Sequence, residues 1–322
     1  MKKIRIIALV LAVLMMLPVL VSCSSSPTAM TVGSYKVSYD MLRYFVMNYK
    51  NGYPGIEPEE FSTSAELQQK LTDNTNASLR ELAAYYLLAK EHKIKLSSEQ
   101  KKEIDEQVKA LRDGYNSEKD YEADMKKNFI TEEVYREIIT VQAYCDGLYE
   151  YLTDEVTGIF KHDDATIMGD IEAGNFFSAE YIYVNYGEKD RESRKKFAED
   201  IQKRISKGEE MAIVYAEYEN EYLLSADYVT LGAFTYHEQN EYFEEAVVSL
   251  EIGECSEVIE KENMFLIVKR RALSDEYIDK NFNSIIASYL SREFFDHVEE
   301  YSKALEIKMK GKYKELKYWE IE

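Results

Sequence analysis

The chain has 322 residues and carries 60 acidic against 40 basic side chains, a formal net charge of −20. Such a charge repels the phosphates of nucleic acids and anionic lipid headgroups, although part of it reflects solvated helix faces. The composition therefore argues against DNA, RNA and polybasic membrane contacts, and we expect no nucleic-acid partner.

The N-terminus has the pattern of a secretion signal. Three basic residues fall within the first five positions, and residues 6–20 that follow are almost wholly apolar. This apolar stretch is too short for a comfortable membrane span, and the polar residues 24–27 come soon after it. The pattern predicts a signal peptide over residues 1–22, whose removal would leave 37 basic and 60 acidic residues, a net charge of −23.

The end of this signal, Leu20-Val21-Ser22-Cys23, resembles the bacterial lipobox, in which the cysteine becomes the first mature residue and is acylated. The resemblance implies lipidation at Cys23, a lipidated tether over residues 23–29 and an extracytoplasmic protein held on the cell membrane. Two acyl chains hold a protein on a bilayer where one does not. The alternative is an ordinary thiol behind a conventional cleavage site.

The next region, residues 30–165, is predicted to be mostly helical. It begins with two short apolar segments, Met30-Thr31-Val32 and Tyr35-Lys36-Val37, which flank Gly33-Ser34 and indicate a strand pair. Ser38 then has the position of an N-cap for a helix with a wide apolar face. That face needs a partner, which the following residues supply.

Three further helix starts are marked by capping residues, at the Thr63 and Glu66 pair, the Ser97 and Gln100 pair, and Thr131. After the last of these, apolar residues recur at alternating steps of four and three, as in the seam of a helical bundle. The seam consists of Val134, Ile138, Val141, Cys145, Leu148 and Leu152.

The periodicity changes in residues 175–272. There the order is strand, helix, helix, strand, helix, strand, strand, which defines a small α+β unit. In chain order the segments are Tyr181–Val184, Ser193–Ser206, Met211–Tyr218, Val229–Phe234, Phe243–Leu250, Gly253–Val258 and Phe265–Lys269.

The last region, residues 273–322, returns to a helix and a strand. Ser274 is predicted to cap a helix that extends to Tyr301. Beyond it, Leu305, Ile307 and Met309 alternate with charged residues, the period of a half-buried strand. We expect this strand to pair near residues 30–37, so that the helical domain is discontinuous in sequence.

Within residues 175–272 the chain resembles the parvulin (PpiC, or rotamase) family of peptidyl-prolyl isomerases found in secreted foldases of the PrsA and SurA type. The resemblance is carried by Lys207-Gly208-Glu209-Glu210-Met211, Leu231-Gly232-Ala233-Phe234, Phe243-Glu244-Glu245-Ala246, Leu250, Gly253-Glu254 and Ser256-Glu257-Val258. The helical flanks resemble the chaperone region of the same foldases. The implied fold is α+β and mostly helical: a discontinuous SurA-like chaperone domain with an inserted parvulin-like domain.

The resemblance also implies where a proline ring and its amide would be held. Leu231 and Phe243 match two residues of the family's proline pocket, and Gln239 stands where a methionine is usual. The polar catalytic positions depart from the family. Tyr181 and Leu266 replace its two histidines, and Glu221 falls near its Asp or Cys.

These departures predict a foldase that binds unfolded or nascent secreted polypeptides with weak or absent isomerase activity. Two alternatives stay open: an active isomerase that uses the substituted residues, and a non-catalytic adaptor lipoprotein that binds one folded partner. We expect no cofactor, because no glycine-rich phosphate loop or nucleophile elbow is present. We also expect no metal, since the four histidines are scattered and no pair has a recognised metal-binding context, although His237 and Glu241 could share a helix face.

Overall fold

The computed structural model describes residues 26–322 apart from 54, 161–162, 188–189, 223–225, 237 and 262, and it describes no side chains for 219–222. The predicted signal peptide, Cys23 and His237 therefore lie outside the described residues. Contacts divide the chain into two units, one formed by residues up to 160 with 294–322 and the other by 161–293.

Among the described residues, no helix has the length and apolar character needed to cross a membrane.

The first unit is a helical bundle with a small sheet. Its helices are α1 (Tyr39–Gly52), α2 (Ala65–Glu91), α3 (Ser98–Asp113), α4 (Glu118–Lys127) and α5 (Glu132–Leu152), with short 3₁₀ turns at Pro58–Ser62, Gly311–Tyr313 and Tyr318–Glu320. Its strands are β1 (Thr28–Val32), β2 (Tyr35–Ser38) and β7 (Ile307–Met309).

Side-chain caps begin most of these helices. The Ser38 and Thr131 hydroxyls accept bonds from the backbone N–H groups three residues on, and Ser97 and Gln100 form a reciprocal capping box. The predicted pair of Thr63 and Glu66 is wrong by one residue, since Ser64 caps α2. Thr63 instead ends the preceding 3₁₀ turn, where its own N–H bonds back to a carbonyl.

The small sheet brings the two ends of the described chain together in the order β2-β1-β7. Met30 pairs with Met309 and Val32 with Ile307, so the predicted pairing of the late strand near residues 30–37 is confirmed. Gly33 makes the turn between β1 and β2 at a φ of +57°, a conformation that strains any residue with a Cβ.

The second unit is α+β. Its helices are α6 (Asp164–Glu172), α7 (Arg191–Ile205), α8 (Met211–Tyr222), α9 (Glu241–Ser249) and the part of α10 (Asp275–Lys303) up to residue 293. Its strands are β3 (Phe177–Asn185), β4 (Ala226–Phe234), β5 (Ile259–Lys261) and β6 (Met264–Arg271). They form an antiparallel sheet in the order β4-β3-β6-β5.

Alternating residues of this sheet enter two separate cores. Ile182, Val184, Phe265 and Ile267 pack with α7 and α8, and each of these four side chains is fully buried. The residues between them face α9 and pack with Phe243 and Val247. This face is closed by one helix, which leaves room for a cleft.

The predicted fold class, α+β and mostly helical, is confirmed, and so is the element order predicted for residues 175–272. Two details differ. The strand expected at Gly253–Val258 begins only at Ile259, because Cys255 makes an isolated bridge to Lys269 before the regular pairing starts. Helix α6 had no sequence signal that we recognised.

Candidate functional site: a tyrosine-lined cleft on the sheet

A cleft of about 190 Å³ opens on the α9 face of the sheet. Strands β3 and β6 form its floor, and α9 with the residues before it forms one wall. It is lined by Tyr181, Tyr183, Asn185, Leu231, Gln239, Asn240, Tyr242, Phe243, Met264 and Leu266. None of these ten side chains carries a formal charge at neutral pH, so the lining is apolar with hydroxyl and amide groups.

The apolar part of the cleft is an aromatic corner. The Tyr181 and Phe243 rings meet edge to face, with centroids 5.1 Å apart and planes at 68°. Phe243 is 6% exposed and Leu266 is 3% exposed. The corner is therefore a tightly packed, apolar part of the cleft lining.

The polar part of the cleft lies along β3 and β4. Asp227 is the cross-strand partner of Tyr183, whose hydroxyl donates a hydrogen bond of 3.2 Å to the Asp227 carboxylate. Burial raises the pKa of Tyr181, and the neighbouring Tyr242 and Asp227 add to the shift. The Tyr181 hydroxyl therefore stays protonated at neutral pH and can act as a hydrogen-bond donor.

The loop that carries Gln239 and Asn240 is held at both ends. At its start, the Thr235 N–H donates to the Glu238 carboxylate and the Thr235 hydroxyl donates to the Asn175 carbonyl. At its end, the Gln239 N–H donates to the Glu244 carboxylate. These bonds fix the backbone of the cleft wall.

A buried ion pair supports the same loop. The Arg292 guanidinium lies 2.8 Å from the Asp170 carboxylate and also donates to the Thr235 hydroxyl. Arg292 is 8% exposed and Asp170 is 14% exposed, so water screens the pair little. Sequence reasoning missed this pair, because its members are 122 positions apart and Asp170 lies on the unrecognised α6.

Five of the six residues predicted for the site line this one cleft: Tyr181, Leu231, Gln239, Phe243 and Leu266. The sixth, Glu221, belongs to the last turn of α8, and its side chain lies outside the described residues. The structure thus brings the predicted set together with that exception. Their roles stay predictions.

Sequence reasoning did not single out Tyr183, Asn185, Asp227, Tyr242 or Met264. Tyr183 and Asn185 follow Tyr181 at steps of two on β3, so the alternation of a strand could have identified them. Asp227 needed the register between β3 and β4, which the sequence does not specify.

Comparison with known proteins assigns this unit. Residues 181–272 match the family model for the rotamase, or PPIC-type PPIase, domain. The chain is 27% identical to foldase protein PrsA of Caldanaerobacter subterraneus subsp. tengcongensis, covering 89% of this chain and 88% of that one. It is 24% identical to foldase protein PrsA of Clostridium tetani, covering 78% and 76%.

A solved foldase protein PrsA from Streptococcus pneumoniae aligns over 89% of this chain and 96% of its own, with 14% identity and a TM-score of 0.33. That score is too low to add to the assignment, which rests on the sequence matches. Those matches make the sheet unit a rotamase domain of the parvulin type. The chain as a whole is similar to PrsA-type foldases, and the predicted resemblance to that family is thereby confirmed.

Proposed function

We propose that this protein is a lipid-anchored, extracytoplasmic chaperone that binds unfolded secreted polypeptides through an isomerase-like cleft with weak or absent isomerase activity. The observation that carries the proposal is the pair Tyr181 and Leu266. Both line the cleft, at positions where the family resemblance expects histidines.

The chemistry of prolyl isomerisation explains why this pair matters. The barrier of about 18–20 kcal/mol arises because amide resonance is lost as the bond twists. A catalyst must therefore stabilise the twisted amide more than the planar one, which requires polar groups placed beside it. Leu266 has no polar side-chain atom, and Tyr181 offers a single hydroxyl.

Binding requires less of the cleft. The edge-to-face corner of Tyr181 and Phe243 supplies apolar surface for a proline ring or another apolar side chain. The hydroxyl and amide groups around it can satisfy a backbone that is extended and partly hydrated. These features support retention of peptide binding where catalysis has weakened.

The isomerase part is tested by proline-limited refolding of a model protein, with the chain lacking residues 1–23 added at catalytic and stoichiometric amounts. We expect no acceleration at catalytic amounts. Acceleration that the substitution Phe243→Ala abolishes would overturn the non-catalytic role and favour an active isomerase. A converse test introduces the two histidines through the double substitution Tyr181→His with Leu266→His. We expect this variant to increase the rate of proline-limited refolding.

The chaperone part is tested by aggregation of an unfolded client protein at increasing ratios of the same soluble chain. Suppression of light scattering supports the proposal. No protection at a stoichiometric excess would favour the adaptor alternative, which binds a folded partner.

The anchor part rests on Cys23 and its surroundings. Metabolic labelling with a radioactive fatty acid should mark the chain and place it in the membrane fraction. The substitution Cys23→Ala should abolish labelling and release the chain from that fraction. Labelling that persists in the variant would show that another group is acylated.

A further inference from the structure

The α9 face of the sheet carries charged residues at its ends and uncharged ones in its middle. On β4 the residue at the cleft is Asp227, and on β6 the charged residue is Arg270, which pairs with Ala179 at the far end of β3. Arg270 donates to the Leu250 carbonyl at 2.8 Å and lies over the Phe177 ring. The Arg270 guanidinium therefore has its partners at the far end of β3 and not at the cleft.

The Asp227 carboxylate is positioned beside the cleft and remains open to solvent. Tyr183 donates to one of its oxygens, Oδ2, which fixes the carboxylate against the cleft lining. Asp227 itself is exposed, and its charge helps to raise the pKa of both Tyr181 and Tyr183, where burial is the larger cause. A ligand at the aromatic corner thus lies within the field of this carboxylate.

A lysine lies on the side of the cleft opposite Asp227. Lys261 of β5 pairs with Met264, and its ammonium group lies 5.6 Å from the centre of the Tyr242 ring. Strand β5 is separated from β4 by both β3 and β6. Opposite charges therefore border the cleft on its two sides, with the anion on the side of Tyr183.

From this arrangement we infer that the cleft selects proline-containing segments with a cationic side chain, Lys or Arg, next to the proline, and that Asp227 is the residue that determines this preference. The inference rests on the proposed binding of unfolded chains at this cleft and names the class of segment bound. Because Asp227 is exposed, water weakens the attraction between its carboxylate and a nearby cation, so a preference of several-fold is expected.

The test is a ligand-observed NMR titration of the full chain in a neutral detergent, at low salt, with three tetrapeptides: Ala-Lys-Pro-Phe, Ala-Gln-Pro-Phe and Ala-Glu-Pro-Phe. We expect the Lys peptide to bind about three- to tenfold more tightly than the Glu peptide, with the Gln peptide between them. The preference should shrink in 0.5 M NaCl, since salt of that order screens exposed charges.

The deciding variant is Asp227→Asn, which should remove the advantage of the Lys peptide over the Gln peptide. A matched control is Asp200→Asn. Asp200 also accepts a tyrosine hydroxyl bond in the same unit, from Tyr218, but on the α7 and α8 side. Asp200→Asn changes the net charge of the protein by the same amount as Asp227→Asn. Because Asp200 lies on the other side of the sheet, this control should leave the preference between the peptides unchanged. If Asp227→Asn fails to fold, Tyr183→Phe is the second variant, because it removes the bond that positions the carboxylate and should reduce the ratio of the Lys-peptide affinity to the Glu-peptide affinity.

The remaining outcomes separate the two proposals. Equal binding of all three peptides, lost in Phe243→Ala, overturns the charge preference and leaves peptide binding at the cleft standing. Loss of the preference in both Asp variants overturns the role of Asp227, because net charge would then explain it. Absence of binding by any of the peptides overturns both the inference and the proposed use of the cleft.

Discussion

Tyrosines of the two units illustrate two contrasting settings. In the helical unit Tyr35, Tyr85 and Tyr144 are 5%, 2% and 5% exposed, and their hydroxyls bond to Glu137, Glu81 and Lys90. In the rotamase unit Tyr181 and Tyr183 are half-buried and line an open cleft. One residue type thus serves as a polar element of a buried core at the first three positions and as part of a cleft lining at the other two.

The difference follows from the architecture. In a helical bundle the helices surround each core side chain on all sides. A buried hydroxyl must therefore bond to a partner inside the protein. A sheet face covered by a single helix leaves its outer rows exposed, where water can satisfy the same hydroxyl. Tyrosine is therefore a structural residue in one setting and an adaptable contact in the other.

The largest effect that tests this contrast is expected from Tyr85→Ala. Tyr85 stacks with Phe294, with centroids 6.1 Å apart, so its loss should leave a cavity and cost about 3–5 kcal/mol of unfolding free energy. Tyr181→Ala should cost clearly less, because solvent already reaches its ring. Urea denaturation of the two variants measures both, and equal losses would contradict the contrast.

The next largest effect is expected at Gly232, beside the cleft residue Leu231. A Cβ at this position would lie 1.9 Å from the Tyr277 hydroxyl, which accepts a bond from the Ala233 N–H. Gly232→Ala should therefore destabilise the rotamase unit by about 1–3 kcal/mol. Adding Tyr277→Ala should recover part of that loss, and the absence of any recovery would rule out the steric explanation.

The bond from the buried Tyr35 to Glu137 leads to a prediction about how the free energy of unfolding depends on pH. Burial raises the pKa of Glu137 from its ordinary 4.5 to about 7, although the bond from Tyr35 lowers it. Between pH 4.5 and 7 the folded state then binds more protons than the unfolded state, so this group lowers the stability as the pH rises.

Ionisation of Glu137 alone should lower the free energy of unfolding by up to about 1.4 kcal/mol for each pH unit within that window. Glu137→Gln should flatten this slope, as measured by the urea midpoint at several pH values. Tyr35→Phe should extend the window upward, since it removes the bond that lowers the pKa. An unchanged slope in Glu137→Gln would assign the dependence to other groups.

The smallest effect is expected from Tyr183→Phe. The bond of its hydroxyl to Asp227 is exposed at the cleft, so its removal should change the unfolding free energy by less than about 0.5 kcal/mol. Binding of a Lys-Pro peptide should weaken more than stability does, because the carboxylate loses its fixed position. A loss of more than about 1 kcal/mol in unfolding free energy would show that Tyr183 is a structural residue, like the buried tyrosines of the helical unit.

Local signals in the sequence were sufficient for much of the fold. Ser38, Ser97 and Thr131 cap the predicted helices because a cap depends on residues only three positions apart. The shift from Thr63 to Ser64 shows the limit of such signals, since two adjacent hydroxyl residues offer the same chemistry. The order of elements in the rotamase unit could likewise be predicted from periodicity.

The site was predictable only in part. Tyr181 and Leu266 could be assigned through the family resemblance, and the structure brings them to one cleft. Asp227 and the Arg292 pair depend on strand register and on contacts across long stretches of chain. Periodicity carries no information on either, so these residues required the structure.

The pairing of β1 with β7 has a consequence for folding during synthesis. A chain made from its N-terminus presents β1 early, but its neighbour Met309 only after nearly 280 further residues have been added. The residues of the rotamase unit, 161–293, lie within that interval. Its sheet can therefore form before the bundle receives its final strand, so the unit encoded in the middle of the chain can be complete before the unit that encloses it in sequence.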